Sequence, residues 1–256
     1  MRIQLGCELA FELPYPTPII LMLNVHYSRS ADLERPDLIT TEPPVPIEGF
    51  RDGFGNWCSR VLAPPGRFSV KVDSVIRDHG QWDAVDEAAA QHAVEDLPTD
   101  TLGFLLASRY CESDALSDEA WRLFGGSPPG WARVKAIVDF VHHHIVFNYQ
   151  DASSLRTAAQ AYAERRGVCR DYAHLAIAFC RAMNIPTRYC TGYISDIGLE
   201  PPTRRAISQP GSKSISVAAG TSSIRATTRR ARAACSWRSA AMPPTSRSPT
   251  RSARAG

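Results

Sequence analysis

Cys169 stands in the run Gly167-Val168-Cys169-Arg170-Asp171-Tyr172, between a glycine suited to end one helix and a segment suited to begin the next. A thiol attacks an acyl carbon only as thiolate. The first turn of a helix presents unpaired N–H groups and partial positive charge, and both lower a thiol pKa. Arg170 places a cation beside it. A cysteine at a tight turn is otherwise a small buried residue. Cys180 and Cys190, among apolar neighbours, and Cys7 and Cys58, in strand-like context, read that way. Cys169 is therefore the catalytic candidate. His174, five residues on, falls about 140° around the same helix and points away from the thiol. His142, His143 and His144 are adjacent and so poorly placed to converge on one ion; they suit a helix C-terminus, which favours cations. No metal and no cofactor is expected.

The elements that must hold Cys169 are legible on both sides. Thr157 and Gln160 have capping-box spacing, which predicts a helix running to Arg166 with Gly167 as its left-handed terminator. A second helix starts near Cys169, with Tyr172, Leu175, Ala176, Phe179 and Met183 as its apolar stripe and Asn184-Ile185-Pro186 as its close. Thr187 to Ile194 reads as a strand. Upstream, Val134, Ile137, Val138 and Val141 form one buried face of a helix that begins at Trp131, after Pro128-Pro129-Gly130, and ends in the histidine tract. Ile145, Phe147 and Tyr149 alternate as a short strand. Residues 1–85 read as a small antiparallel β domain. Ile3, Leu5, Cys7, Leu9 and Phe11 alternate, and so do Phe68, Val70 and Val72, with a shift at Val75-Ile76. Asp52-Gly53-Phe54-Gly55-Asn56 between them is dense in turn formers.

These residues resemble the transglutaminase-like superfamily, whose core is a papain-like cysteine fold. The resemblance is carried by Thr157-Ala158, by Gly167-Val168-Cys169 with Asp171-Tyr172-Ala173-His174-Leu175, and by Asn184-Ile185-Pro186-Thr187-Arg188-Tyr189 followed by Thr191-Gly192-Tyr193. The Asp52–Asn56 turn resembles one in the β domain of bacterial members. It implies an α+β chain with an N-terminal antiparallel β domain (1–85) and a papain-like core (86–198). It also implies that Cys169 forms a thioester with a glutamine side chain or a peptide acyl group. Transfer to an amine would make a transglutaminase; transfer to water, a peptidase or amidase. A histidine on the next strand and an aspartate on the one after would serve as base and orienting acid. The partner is a peptide or protein bearing a glutamine or amide group.

That pattern breaks after Gly198. The family strings "H-A-W-x-E-V-Y" and "W-x-x-F-D" are absent, so the core is expected to be truncated after the nucleophile helix and first strand. Residues 199–256 hold eleven Lys and Arg against one acid, Glu200, a net of +10, and leave −7 on the rest of a chain whose total is +3. Such a tail suits disorder and nonspecific nucleic-acid binding. A slipped reading frame accounts for it better. Read one base out of register, Ile207 to Ser216 permits D-F-(S/T/A/P)-A-W-F-E-V-Y-L, the missing segment in the missing place, although no codon for Ser208 yields the usual histidine. This chain is then expected to be inactive, poorly stable and partly exposed along Tyr172 to Met183. A non-catalytic peptide-binding module of the same fold is the alternative.

Composition bounds the rest. With 256 residues and 44% hydrophobic content, one large or two small domains can form a core. No apolar run is long enough to span a bilayer. The apolar Pro18 to Leu23 patch lacks a basic leader and a cleavage site, and the seven cysteines are odd in number and scattered. A reducing cytoplasm is the expected compartment.

Overall fold

Two long strands, β1 (Arg2–Leu13) and β7 (Gly66–Arg77), pair antiparallel along their whole length, from Arg2 opposite Arg77 to Leu13 opposite Gly66. Between them in sequence come β2 (Thr17–Leu21), β3 (Leu33–Arg35), β4 (Ile39–Glu42), β5 (Glu48–Arg51) and β6 (Trp57–Ala63). The strands β3 and β4 pair with the other edge of β7, and β2, β6 and β5 form a second antiparallel sheet. Leu21, Val61, Ala63, Phe68 and Val70 fill the space between the sheets, with Phe11, Leu13, Ile19 and Ile39 packed on them. The computed structural model describes residues 1–79 and 86–193, and the backbone of 214–219.

The shift expected at Val75-Ile76 does not occur. Phe68, Val70, Val72, Ser74 and Ile76 are all buried on one face. Ser74 hides the alternation from a hydropathy reading, and its hydroxyl donates to the Arg35 carbonyl, which removes the cost of an unsatisfied buried polar group. The Asp52–Asn56 turn joins β5 to β6 as expected. Asp52 organises it: its carboxylate accepts the N–H groups of Phe54 and Asn56, both at 2.9 Å, and the Asn56 side-chain amide at 2.8 Å. Gly55 supplies the positive φ of 83°.

The second half is helical. Helix α1 (Ser117–Phe124), α2 (Trp131–His144), α3 (Ala158–Glu164) and α4 (Cys169–Ala182) surround one core, with two short parallel strands, β8 (Val146–Phe147) and β9 (Arg166–Gly167), and the strand β10 (Thr187–Gly192). Val134, Ile137 and Val141 are buried as the period requires. The Thr157–Gln160 capping box is present. Helix α3 stops two residues earlier than expected, and Arg165, at φ 55°, is its left-handed cap in place of Gly167.

Helix α4 is the hub. Its expected stripe is inside, but so are Ala173, Ile177, Ala178 and Cys180. Leu175, Ala176, Phe179 and Met183 are at most 3% exposed, so the stripe is not left open as expected. Helices α1, α2 and α3 cover one side, and β10 and a further strand β11 (Ser214–Ala219) cover the other. Strand β11 pairs antiparallel with β10, Thr187 opposite Ala219 through Gly192 opposite Ser214. An open strand edge is a template for any β-compatible run, and Ser214-Ile215-Ser216-Val217 is one. The remainder of the expected tail, 199–213 and 220–256, lies outside the described residues.

Candidate active site

Cys169 is the first residue of α4 and is half-buried. Pairing of β9 with β8 brings the chain in straight. Val168 then stays extended at φ −116° and ψ 177°, and its carbonyl accepts the Asp171 N–H at 2.8 Å to open the helix. Asp171, two residues past the thiol, turns back and accepts the Val168 N–H at 2.8 Å. A carboxylate in the first turn suits the positive end of the helix.

That carboxylate is 0% exposed. A buried charge needs a partner, and Arg156, itself 8% exposed, provides one at 3.3 Å. The rest of the Arg156 guanidinium is engaged by the Asp151 carbonyl at 2.6 Å and by Glu164 at 3.0 and 3.1 Å. Arg156 thus ties the nucleophile helix to α3 and to the loop before it. Gly167 is required by the same cluster. A Cβ there would stand 2.5 Å from Asp171 Oδ2 and 2.7 Å from its Cβ. Gly167→Ala should therefore lose about 1–3 kcal/mol by overpacking, read as a lowered urea midpoint; an unchanged midpoint would remove this reason for the glycine.

Arg170 does not reach toward the thiol. It donates to the carbonyls of Ser153, Ser154 and Arg156 at 2.7, 2.7 and 2.9 Å and lies 5.1 Å from the Tyr110 ring centroid. Its charge still stands one residue from Cys169. Two tyrosines sense the thiol: Tyr172, which donates to the Ile145 carbonyl, and Tyr189 on β10 are each pushed up to about 12, first by burial, with the negative charge Cys169 would carry adding to the rise.

The histidines go elsewhere. His143 Nδ1 meets the Asp139 carbonyl at 2.6 Å, and His144 Nε2 meets the Tyr162 carbonyl at 2.7 Å with its ring between Phe140 and Tyr162. His174 lies in an aromatic slot, stacked on Tyr110 at 5.6 Å and tilted against Tyr189 at 5.1 Å. Among the described residues no three His, Cys, Asp or Glu side chains form a metal-ligating group.

Residues 120–213 match the Transglutaminase-like superfamily. The matched segment holds the nucleophile helix α4 and the strand β10, and is similar to that superfamily. A candidate cysteine protease from Cytophaga hutchinsonii shares the fold at TM-score 0.66 and 28% identity, over 86% of this chain and 75% of that one. The periplasmic domain of TgpA from Pseudomonas aeruginosa, bound to ethylmercury, is similar at TM-score 0.34 and 16% identity, over 75% of this chain and 59% of that one. No curated protein matches. No helix among the described residues is long and apolar enough to cross a membrane.

Within the helical half, Arg156 and Tyr110 are not legible in the sequence because buried charge partners and stacking rings carry no period. Asp171 was visible only as one letter of the signature; its capping role is masked by a valine at the N-cap. His174 has a further consequence. Burial, then Arg170 and Arg181, push its ring down to about 4 from 6.5. Between those values the unfolded chain binds a proton that the fold refuses. Stability is therefore complete above about pH 6.5 and should decline by roughly 2 kcal/mol as pH falls toward 4. His174→Gln should flatten that part of the pH profile in urea unfolding; an identical profile would contradict the assignment.

Proposed function

We propose that Cys169 is the nucleophile of cysteine-dependent acyl transfer or amide hydrolysis, and that this chain itself does not turn over. The observation that carries the first half is the seat of Cys169 at the first position of α4, where the helix field favours thiolate, in a segment inside the superfamily match. The thiolate would add to an amide carbon of a peptide or glutamine side chain. Expulsion of the amine or ammonia, which must take up a proton, leaves a thioester, and a second amine or water releases the thiol.

The second half rests on what the site must borrow. Protonating the leaving nitrogen and deprotonating the second nucleophile call for a base held by an acid. No histidine follows His174 and no aspartate follows Asp196 anywhere in the chain, whereas the family places both on strands after β10. His174 is packed between Tyr110 and Tyr189. A slipped frame after Gly198 supplies the cause, and DNA sequencing around codons 196–202 tests it directly. The β11 pairing favours a second reading, a peptide-binding module that keeps the fold without turnover. Its mark would be partner binding that survives Cys169→Ser. We assign the protein to a bacterial cytoplasm, in keeping with thiols outside any disulfide among the described cysteines.

A glutamine–amine crosslinking assay and a peptidase assay, each run against Cys169→Ala, test the proposal. The expected result is no difference between the two proteins. Signal that disappears with Cys169→Ala would overturn the inactivity and keep the nucleophile.

A further inference from the structure

The two sheets of the β domain present different outer faces. On the first, the outward positions are mostly polar, with Glu8 and Glu12 on β1, Thr40 and Glu42 on β4, and Lys71 and Asp73 on β7, all exposed. That is the ordinary pattern of an antiparallel sheet with one solvated face. The second sheet breaks it. Its outward positions include Pro18 and Ile20 on β2, Leu62 on β6 and Phe50 on β5. Ile20 and Leu62 are each 62% exposed and Phe50 is 37% exposed. The charges at these outward positions are Arg60 and Glu48, which pair with each other between β6 and β5, Arg60 Nε donating to Glu48 at 3.1 Å. Pro46, Ile47 and Leu62 line an open depression of about 550 Å³ beside that pair.

Apolar side chains spread over adjacent strands and left open to water mark an interaction face. The charge pair says what covers it. Anything lying flat on this face must set a carboxylate over Arg60 and a cation over Glu48, or strip both of water without return. A basic segment, an acidic one or the hydrocarbon of a bilayer answers at most one of the two. A second copy of the same face answers both. Arg60 and Glu48 stand directly opposite each other on neighbouring strands, so a two-fold axis running along the strands between β5 and β6 exchanges them. Arg60 of each copy then meets Glu48 of the other. The same axis sets Leu62, two residues beyond Arg60, over the Pro46–Ile47 side of the other copy's depression. Pro18 and Ile20 on β2 fall at the rim.

We propose that the outer face of the β2–β6–β5 sheet is a dimerisation surface whose occupant is a second copy of this chain. Burial of the apolar side chains supplies the affinity. The exchanged pairs fix the register of an isologous contact, the kind in which one patch meets itself.

The test is sedimentation velocity of the full chain between about 1 and 100 µM, the range in which a modest interface is populated. The expected result is a dimer whose fraction rises with concentration. Leu62→Glu alters a side chain open to solvent in the monomer, so it should leave the far-ultraviolet circular dichroism unchanged and weaken dimerisation at least about tenfold. Glu12→Lys, on the polar face of the first sheet, should leave the dimer as it is. Arg60→Glu and Glu48→Arg should each be monomeric alone, because like charges then meet across the axis, and an equimolar mixture of the two should associate. The clash inside each chain persists in the mixture, so recovery reports contact between copies. An unaltered chain that stays monomeric at the highest concentration would overturn the proposal. So would a Leu62→Glu dimer as tight as the original, or a mixture of the charge variants that stays monomeric. Capture of a monomeric chain by phosphatidylcholine vesicles, lost with Leu62→Glu, would also overturn it and give the face to a lipid surface.

Discussion

Arg156→Ala should cost the fold about 3–5 kcal/mol, enough to unfold a domain of ordinary stability. The reason lies in what remains behind. Asp171 would keep a fully buried carboxylate whose nearest cation is then Arg170, 3.9 Å from its other oxygen. The loop at Asp151 and helix α3 at Glu164 would lose their shared partner at the same time. Removing the acid is milder. Asp171→Ala leaves Arg156 held by Glu164 and the Asp151 carbonyl and removes one N-terminal cap, a loss of about 1–3 kcal/mol. Urea unfolding of the two variants checks the order. If Asp171→Ala proves the more damaging, Arg156 is not the anchor of the nucleophile helix.

Cys169 should be alkylated at least about 10²-fold faster than Cys180 in the native protein. Cys180 is 0% exposed and pushed up to about 12 by burial, and burial also pushes Cys58 and Cys111 up. At pH 7.5 a thiol near 12 is ionised roughly three-thousandfold less than one near 8.5. Its greater intrinsic nucleophilicity recovers only about half of that on a logarithmic scale. Local opening must also precede any attack on a buried thiol. Cys169 is only half-buried and stands at the head of α4, so attack on it needs less opening and the helix field favours its thiolate. A short iodoacetamide pulse followed by peptide mass spectrometry reads all the thiols together. Labelling of Cys169 no faster than Cys111 would remove the ground for calling it a nucleophile.

What the chain displays linearly follows from local rules. The alternation of β1, the buried stripe of α2, the Thr157–Gln160 capping box and the start of α4 at Cys169 were all legible, because each depends on residues within one or two turns of each other. Strand β7 was legible only in part, since Ser74 is buried by virtue of a hydrogen bond to Arg35, a residue 39 positions away. Gly167 was rightly marked and wrongly explained. Its glycine is demanded by the Asp171 side chain lying against it, not by a left-handed turn.

Residue order alone determined that a thiol opens a helix between Gly167-Val168 and Asp171-Tyr172, and that no histidine follows position 174. Only the tertiary structure decided how that helix end is held, with Arg156 and Asp171 paired in the interior and His174 enclosed by Tyr110 and Tyr189. It alone also revealed that Phe54, on the turn between β5 and β6, meets the Phe104 ring against which Arg188 of β10 lies. The physical reason is common to these cases: burial, charge pairing and ring stacking depend on distance through space, and neighbours brought together by folding leave no period along the chain.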